Sequence, residues 1–291
     1  MIELLLVIAI IGLLSSIVLV ATRGVREKAE ITNVIQFDAS VYHSLAAYAV
    51  GVWNTDEGEF STCVPVDPAF PQQIDICDSS GNNNHGFLIG SAWSNDTPTN
   101  KGYSLNFAGW DFVDFGDKRN FDMTDSVTVS VWVKLDQLPG DLGFNEAVFA
   151  KEGNYKVDVC TSVTGPCSLE NGVRFLTSDN WGGNIISSTS ALVVGKWYHI
   201  VASFGKGKKS LYINGKIESS SSATAMNPYL FGNLHLTAAC YDDGSAEFNI
   251  FNDPLFGNLD DIRLYKETLN AFQVRRLYVE GAKEHELLVN N

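Results

Sequence analysis

Ser126-Val-Thr-Val-Ser-Val-Trp-Val-Lys-Leu135 alternates apolar and polar side chains along its whole length. Successive side chains of a strand point to opposite faces, so Val127, Val129, Val131, Val133 and Leu135 share one face. Thr128, Ser130, Trp132 and Lys134 share the other. The same period returns in Trp197-Tyr-His-Ile-Val-Ala-Ser-Phe204 and in Ser210-Leu-Tyr-Ile213. Asn214-Gly215 then separates Leu-Tyr-Ile from Lys-Ile-Glu. Both residues tolerate positive φ, the requirement of a two-residue hairpin turn. From Asp78 onward, short strands with Gly and Asn turns and almost no helix predict a β-sandwich, closed by one short helix near residues 270–280.

The chain of 291 residues is 45% hydrophobic and 11% aromatic, which excludes a disordered protein. Its formal net charge is −14 and its pI about 4.7. Residues 1–55 carry three basic and four acidic side chains, so the acidic excess belongs to the rest of the chain. Such a surface repels phosphate backbones and excludes nucleic acid as a partner of the folded domain. None of the five cysteines lies in a Cys-x-x-Cys pair, which argues against zinc. Cys63 with Cys77, and Cys160 with Cys167, are close in sequence and flanked by turn residues. They read as two short-loop disulfides of an oxidising compartment. Cys240 reads as a small buried hydrophobe.

The N-terminal stretch Met1-Ile-Glu-Leu-Leu-Leu-Val-Ile-Ala-Ile-Ile-Gly-Leu-Leu-Ser-Ser-Ile-Val-Leu-Val-Ala-Thr22 has a single charge, Glu3. About 20 such residues span a bilayer core. No basic residue precedes the run, as a signal peptide requires, and the sequence reads as though a leader has been removed. Beyond it, Val25, Ala29, Val34, Val41, Leu45, Tyr48, Ala49 and Val52 continue an amphipathic stripe at helical spacing. One helix over residues 1–52 would be roughly 75 Å long and needs partners. An ionised Glu3 in apolar surroundings marks a partner, or else a position at the headgroup level of a membrane.

This segment resembles the N-terminal signature of type IV pilins and pseudopilins. The resemblance implies a prepilin peptidase and pilus assembly machinery, a methylated N-terminus, an inner-membrane stage before assembly, and a homopolymer built on bundled helices. Glu3 would meet a neighbouring subunit's N-terminal amine. A proline common near the end of the family's apolar run is replaced here by Val20, which leaves Gly12 and Gly24 as the weak points of the helix.

Residues 53–77, with three prolines, read as a disulfide-stapled linker. The remainder, 78–280, is similar in the order of its phrases to the LamG-like, concanavalin A-like jelly roll. Those phrases are Asp78-Ser-Ser-Gly-Asn-Asn-Asn-His-Gly86, Tyr103-Ser-Leu-Asn-Phe107, Phe112-Val-Asp-Phe115, Val127–Val133, Gly195-Lys-Trp-Tyr-His-Ile-Val201, Leu211-Tyr-Ile-Asn-Gly215 and Gly257-Asn-Leu-Asp-Asp-Ile-Arg-Leu-Tyr265. The expected fold class is therefore α+β: a long pilin-type helix, the linker, an all-β jelly roll and a tail over 281–291.

Asp78, Asn82 and Asn84 surround a Gly turn with the oxygen ligands that Ca²⁺ takes. The resemblance adds Asp260 or Asp261 and implies one structural calcium; an Asx-rich turn without metal is the alternative. Trp181 with Asn184, and Trp110 with Asp111, are candidate sugar platforms, although tryptophans in such loops more often cap the core. Glu146, Glu152 and Glu170 are scattered without the close pairing of glycosidase carboxylates, and His199 reads as a packed strand residue, so no catalytic residue is assigned. The sequence thus points to a structural subunit of a type IV pilus-like filament at the cell surface. Its sandwich would face outward for adhesion to a glycan or another surface ligand. A secretion pseudopilin and a membrane-tethered carbohydrate-binding protein are the competing readings.

Overall fold

The computed structural model describes residues 45–58, 63, 74–90, 92–163, 166–177, 185–223, 226, 234–242 and 251–282. Glu3, Gly12, Gly24, Trp181 and Asn184 lie outside the described residues. The chain divides into two compact units, Met1–Ala47 and Tyr48–Asn291, and the second contains the whole sandwich.

In chain order the strands are β1 (Ala49–Trp53), β2 (Ile74–Ile76), β3 (Gly86–Ile89), β4 (Ala92–Ser94), β5 (Ser104–Ala108) and β6 (Phe112–Gly116). They continue with β7 (Ser126–Leu135), β8 (Glu146–Lys151), β9 (Tyr155–Val159), β10 (Gly172–Thr177), β11 (Ile185–Ala191) and β12 (Trp197–Gly205). The last are β13 (Lys208–Ile213), β14 (Lys216–Ser222), β15 (Leu236–Ala238), β16 (Tyr241–Asp242), β17 (Phe251–Asn252) and β18 (Phe256–Tyr265). One sheet runs β14-β13-β12-β7-β18-β5-β4, with β1 also on β18; the other runs β11-β10-β9-β8-β15-β6-β3-β2. Every pairing is antiparallel.

The alternation of residues 126–135 settles the core. Val127, Val129, Val131, Val133 and Leu135 face inward and meet Val113, Phe115, Phe149, Val157 and Phe175 of the opposite sheet. The Asn214-Gly215 hairpin forms as the sequence demands, with both residues at positive φ (51° and 72°) and Ile213 opposite Lys216. The predicted closing helix is Ala271–Ala282. Asn270 caps it by accepting from the N–H groups of Phe272 and Gln273, while Gln273 accepts from the Asn270 N–H, a reciprocal capping box. The helix buries Val274 and Leu277, and Tyr278 stacks on Trp132 on the outer face of β7 (centroids 5.7 Å apart).

The N-terminal boundary differs from the sequence reading. The stripe predicts helix through residue 52, but residues 45–48 are helical and Ala49–Trp53 is strand β1, paired with β18 from Tyr265 to Ile262. A residue triplet such as Val50, Val52 and Trp53 fits either period over so short a span. Backbone pairing with β18 and burial of Trp53 and Val50 decide it for strand. Gly51 assists, because a side chain there would overlap the Trp53 ring. The linker assignment is corrected in the same way: Trp53 at one end is core, and Ile74–Ile76 at the other pairs with β3. The sandwich therefore begins at Ala49 instead of Asp78.

Both disulfides are formed, Cys63–Cys77 and Cys160–Cys167, each with Cα atoms 5.7 Å apart. Arg174 donates through Nη1 to the Pro166 carbonyl and through Nε and Nη2 to buried Asp158, tying the second disulfide loop to β9 and β10. Cys240 is buried and free, and burial pushes its thiol up to about 12, leaving it inert.

Candidate functional site

The Asp78 loop grips β1. Asp78 Oδ1 accepts from the N–H groups of Val52 and Ser80, and Oδ2 accepts from Ser80 Oγ and the Asn84 N–H. Asn82 donates its amide to the Ala49 carbonyl, and Asn84 to that of Val50. The Asn84 carbonyl accepts the Trp53 indole N–H at 2.8 Å. These bonds satisfy the polar side chains locally. The five predicted calcium ligands accordingly fall into two groups, because Asp260 and Asp261 sit elsewhere. The shared sequence neighbourhood of Asp78, Asn82 and Asn84 describes a clamp on the strand that the sequence reading placed in a helix.

Asp260 and Asp261 lie where β18 changes partner. Its first half pairs with β5 and its second with β1, and a bulge between Asp260 and Arg263 falls at the crossover. Asp261 adopts a left-handed φ of 46° there, a strained backbone for a residue with a side chain. The bulge sends the two carboxylates to different partners: Asp260 Oδ1 accepts from Thr55 Oγ1 at 2.7 Å, whereas Asp261 forms a bidentate pair with Arg263. Together with Asn54, Asp56, Lys101 and Trp132 they line a cleft of about 400 Å³, within the size range of small-molecule sites. Burial pushes the Asp260 carboxyl up to about 8, and Asp261 and Asp56 add to the shift. Burial also raises Asp56, with Asp261 contributing. Asp56 is the residue that sequence reading misses, because it stands in the stretch read as linker. Its signal is the run Ala49-Val-Gly-Val-Trp53, a short β-compatible segment followed at once by turn-forming Asn54-Thr-Asp-Glu-Gly58. Among the described residues no three carboxylate, imidazole or thiol groups already converge on a metal-binding point.

Trp110 occupies the turn between β5 and β6, where the chain passes from one sheet to the other. The expectation that it caps the core does not hold. It is 69% exposed, the most exposed aromatic among the described residues. Gly109 permits the turn with φ 104°, and Asp111 fixes it by accepting the Ala108 N–H through Oδ2 at 2.9 Å. On the adjoining β3, Ile89 and Phe87 are also exposed, Ile89 opposite Phe112 and Phe87 opposite Asp114. An indole ring, flanking apolar side chains and a nearby carboxylate are the surfaces that receive the apolar face and the hydroxyls of a sugar.

Other titratable groups are absorbed by the fold. His199 is buried, hydrogen-bonded to Ser130 Oγ through Nε2, and burial with Arg263 nearby pushes it down to about 3. It is the packed strand histidine the sequence predicts. Glu170 accepts the Ser162 N–H within the disulfide loop.

The two sheets and the exposed loop define a jelly roll of the lectin type. The chain belongs to the concanavalin A-like lectin/glucanases superfamily, whose laminin-G-like family matches residues 107–275. No curated protein matches it. Similar solved structures include domain 4 of an extracellular arabinanase from Geobacillus stearothermophilus, in complex with arabinotriose. It has 18% identity over 79% of this chain and 98% of that one, with a TM-score of 0.54. The binding domain of Paraclostridial mosquitocidal protein 1 has 17% identity over 81% and 53% of the two chains, at a TM-score of 0.55. The ligand-binding domain of botulinum neurotoxin serotype D, in complex with N-acetylneuraminic acid, has 11% identity over 82% and 52%, at 0.55. The chain spans about half the length of the two toxin domains. At these identities the likeness is one of fold.

Proposed function

We propose that this protein is a non-catalytic glycan-binding subunit displayed at the cell surface, with the sandwich presenting the Trp110 loop. The observation that carries the reading is the exposure of Trp110 beside Asp111 and Ile89. With Phe87 and Ile89 exposed on β3 as well, the indole left in water by a domain that buries Trp53 and Trp132 is available to a partner outside the domain. Similar domains solved with arabinotriose and N-acetylneuraminic acid supply the first two probes. Calorimetric titration should detect binding of one of them. Trp110→Ala should weaken it roughly five- to 150-fold, on the scale of the ~1–3 kcal/mol that a nucleobase stacked on one aromatic ring contributes, with an unchanged melting temperature. Equal binding by Trp110→Ala would refute the platform, and no binding of either probe or of any arrayed glycan would refute the function.

Display is assigned to the N-terminal segment. Its pilin-type signature supports assembly into an extracellular filament, with Glu3 pairing between subunits. In cells expressing Glu3→Ala, surface filaments should be lost while the protein accumulates in the membrane fraction. Undiminished filaments would remove Glu3 from assembly. Calcium, expected from the sequence, is kept as a proposal for the carboxylates Asp56, Asp260 and Asp261, which the ion would draw together; Asp78 has no part in it.

A further inference from the structure

Glu146 opens β8 in one sheet, yet its carboxyl reaches the other. Oε1 accepts the backbone N–H of Phe256, the first residue of β18, at 2.8 Å. The residue is fully buried, and among the described residues Oε2 has no hydrogen-bond partner. Phe256 is the cross-strand partner of Ala108, and its ring lies so close to Gly109 that any side chain at that position would overlap it. Trp110 is the next residue. A single line of contacts therefore runs from the carboxyl through Phe256 and the Ala108–Gly109 backbone to the exposed indole.

A core built only for stability would place an apolar residue where one carboxyl oxygen is left without a partner. We infer that Glu146 is a positioning residue of the Trp110 platform: it holds the start of β18 against the β5–β6 turn and so fixes how the indole is presented. The inference rests on reading Trp110 as the ligand contact.

The charge state of Glu146 controls the grip. Burial pushes the carboxyl up to about 8, against the Phe256 hydrogen bond, and Asp136 raises it further. Asp136, beyond the end of β7, is the carboxylate facing it. Asp158 lies across the ladder from Ala147 and is paired with Arg174. Asp253, whose backbone carbonyl accepts the Ala147 N–H, is paired with Lys156. Both cations are thus engaged by other carboxylates, and among the described residues an ionised Glu146 has no counter-charge. Neutral, it accepts the Phe256 N–H without that cost. Ionised, it draws water toward the base of the turn and loosens it.

The test reads the indole itself. The full chain is labelled with fluorotryptophan and the Trp110 ¹⁹F resonance is assigned by its absence from Trp110→Phe. In the wild type that resonance should move with a midpoint near 8, and the Trp110 step should be the one that Glu146→Gln removes, whereas any step at Trp132, which lines the Asp260 cleft, should persist in that variant. Glu146→Gln keeps a carbonyl acceptor and cannot ionise, so its Trp110 resonance should be flat and should overlay the low-pH position. Affinity for whichever of arabinotriose and N-acetylneuraminic acid binds should fall with the same midpoint in the wild type and hold constant in Glu146→Gln. A flat wild-type resonance up to about pH 9, or an identical step in Glu146→Gln, overturns the inference. A resonance that titrates as expected in a protein that binds neither probe nor any arrayed glycan upholds the positioning and overturns the glycan reading instead.

Discussion

Trp53→Ala is expected to lower the melting temperature by roughly 10–20 °C, the largest effect of any single side chain considered. Trp53 is fully buried, with its ring centroid 4.1 Å from that of Phe115 and 6.2 Å from that of Phe149. Truncating a buried tryptophan costs about 3–5 kcal/mol through lost transfer energy and the cavity left behind. The substitution also removes the indole N–H from the Asn84 carbonyl. A buried acceptor left unsatisfied adds about 1–3 kcal/mol. For a domain of this size each kcal/mol is worth about 2–4 °C. Trp53→Phe keeps most of the ring and loses the hydrogen bond, so it should fall about a third of the way. The measurement is thermal unfolding of the full chain. A drop of less than about 5 °C for Trp53→Ala would mean that β1 is not an integral strand of the sandwich.

Asp260→Asn is expected to stabilise the domain, and increasingly so as the pH rises. The folded carboxyl is held near 8 against an ordinary value of 3.8. Folding therefore takes up a proton, and the Asp260 contribution to stability is whole below an ordinary carboxylate pKa, declines as the pH rises through the window between the two values, and is lost above about 8. Asparagine has no proton to lose. Its carbonyl still accepts from Thr55 and its amide can donate to Asp56 or Asp261, which turns a repulsion into an attraction. The melting-temperature difference between variant and wild type should widen across that window and then level off. A difference independent of pH would exclude Asp260 as the titrating group.

Calcium reverses the sign. A divalent ion among Asp56, Asp260 and Asp261 supplies the counter-charge that a buried, ionised Asp260 lacks and cancels the added repulsion of its two neighbours. Added calcium should then raise the melting temperature of the wild type and have little effect on Asp260→Asn. If the wild type does not respond, the ion has no site in this cleft.

Residues 126–135 declared their strand because ten residues of strict alternation fit no helical face, and the hairpin at Asn214-Gly215 followed from its two positive-φ residues. The disulfides followed from cysteines close along the chain. Ala49–Trp53 was not legible, because five residues with Val50, Val52 and Trp53 satisfy a helical stripe as well as a strand. Asp56 was hidden by the same error. The Asp78 loop showed its oxygen-rich composition, but composition does not say whether those oxygens face an ion or backbone N–H groups. Trp110 could be recognised as a loop tryptophan, and nothing local distinguished a ring that caps the core from one that faces water.

The sequence by itself determined the β-sandwich class of the folded domain, strands of its central sheet, the closing helix, the pairing of four cysteines and the apolar character of the N-terminal segment. These are set by periodicity, turn chemistry and residue type, all of which act over a few residues. The tertiary structure alone decided that the sandwich starts at Ala49, that Asp260 and Asp261 line a cleft with Asp56, that Trp110 is exposed, and that Glu146 of one sheet accepts the Phe256 N–H of the other. Each depends on which segments meet across the two sheets, and the partners of such contacts, Asp56 with Asp260 or Glu146 with Phe256, stand some 200 and 110 residues apart.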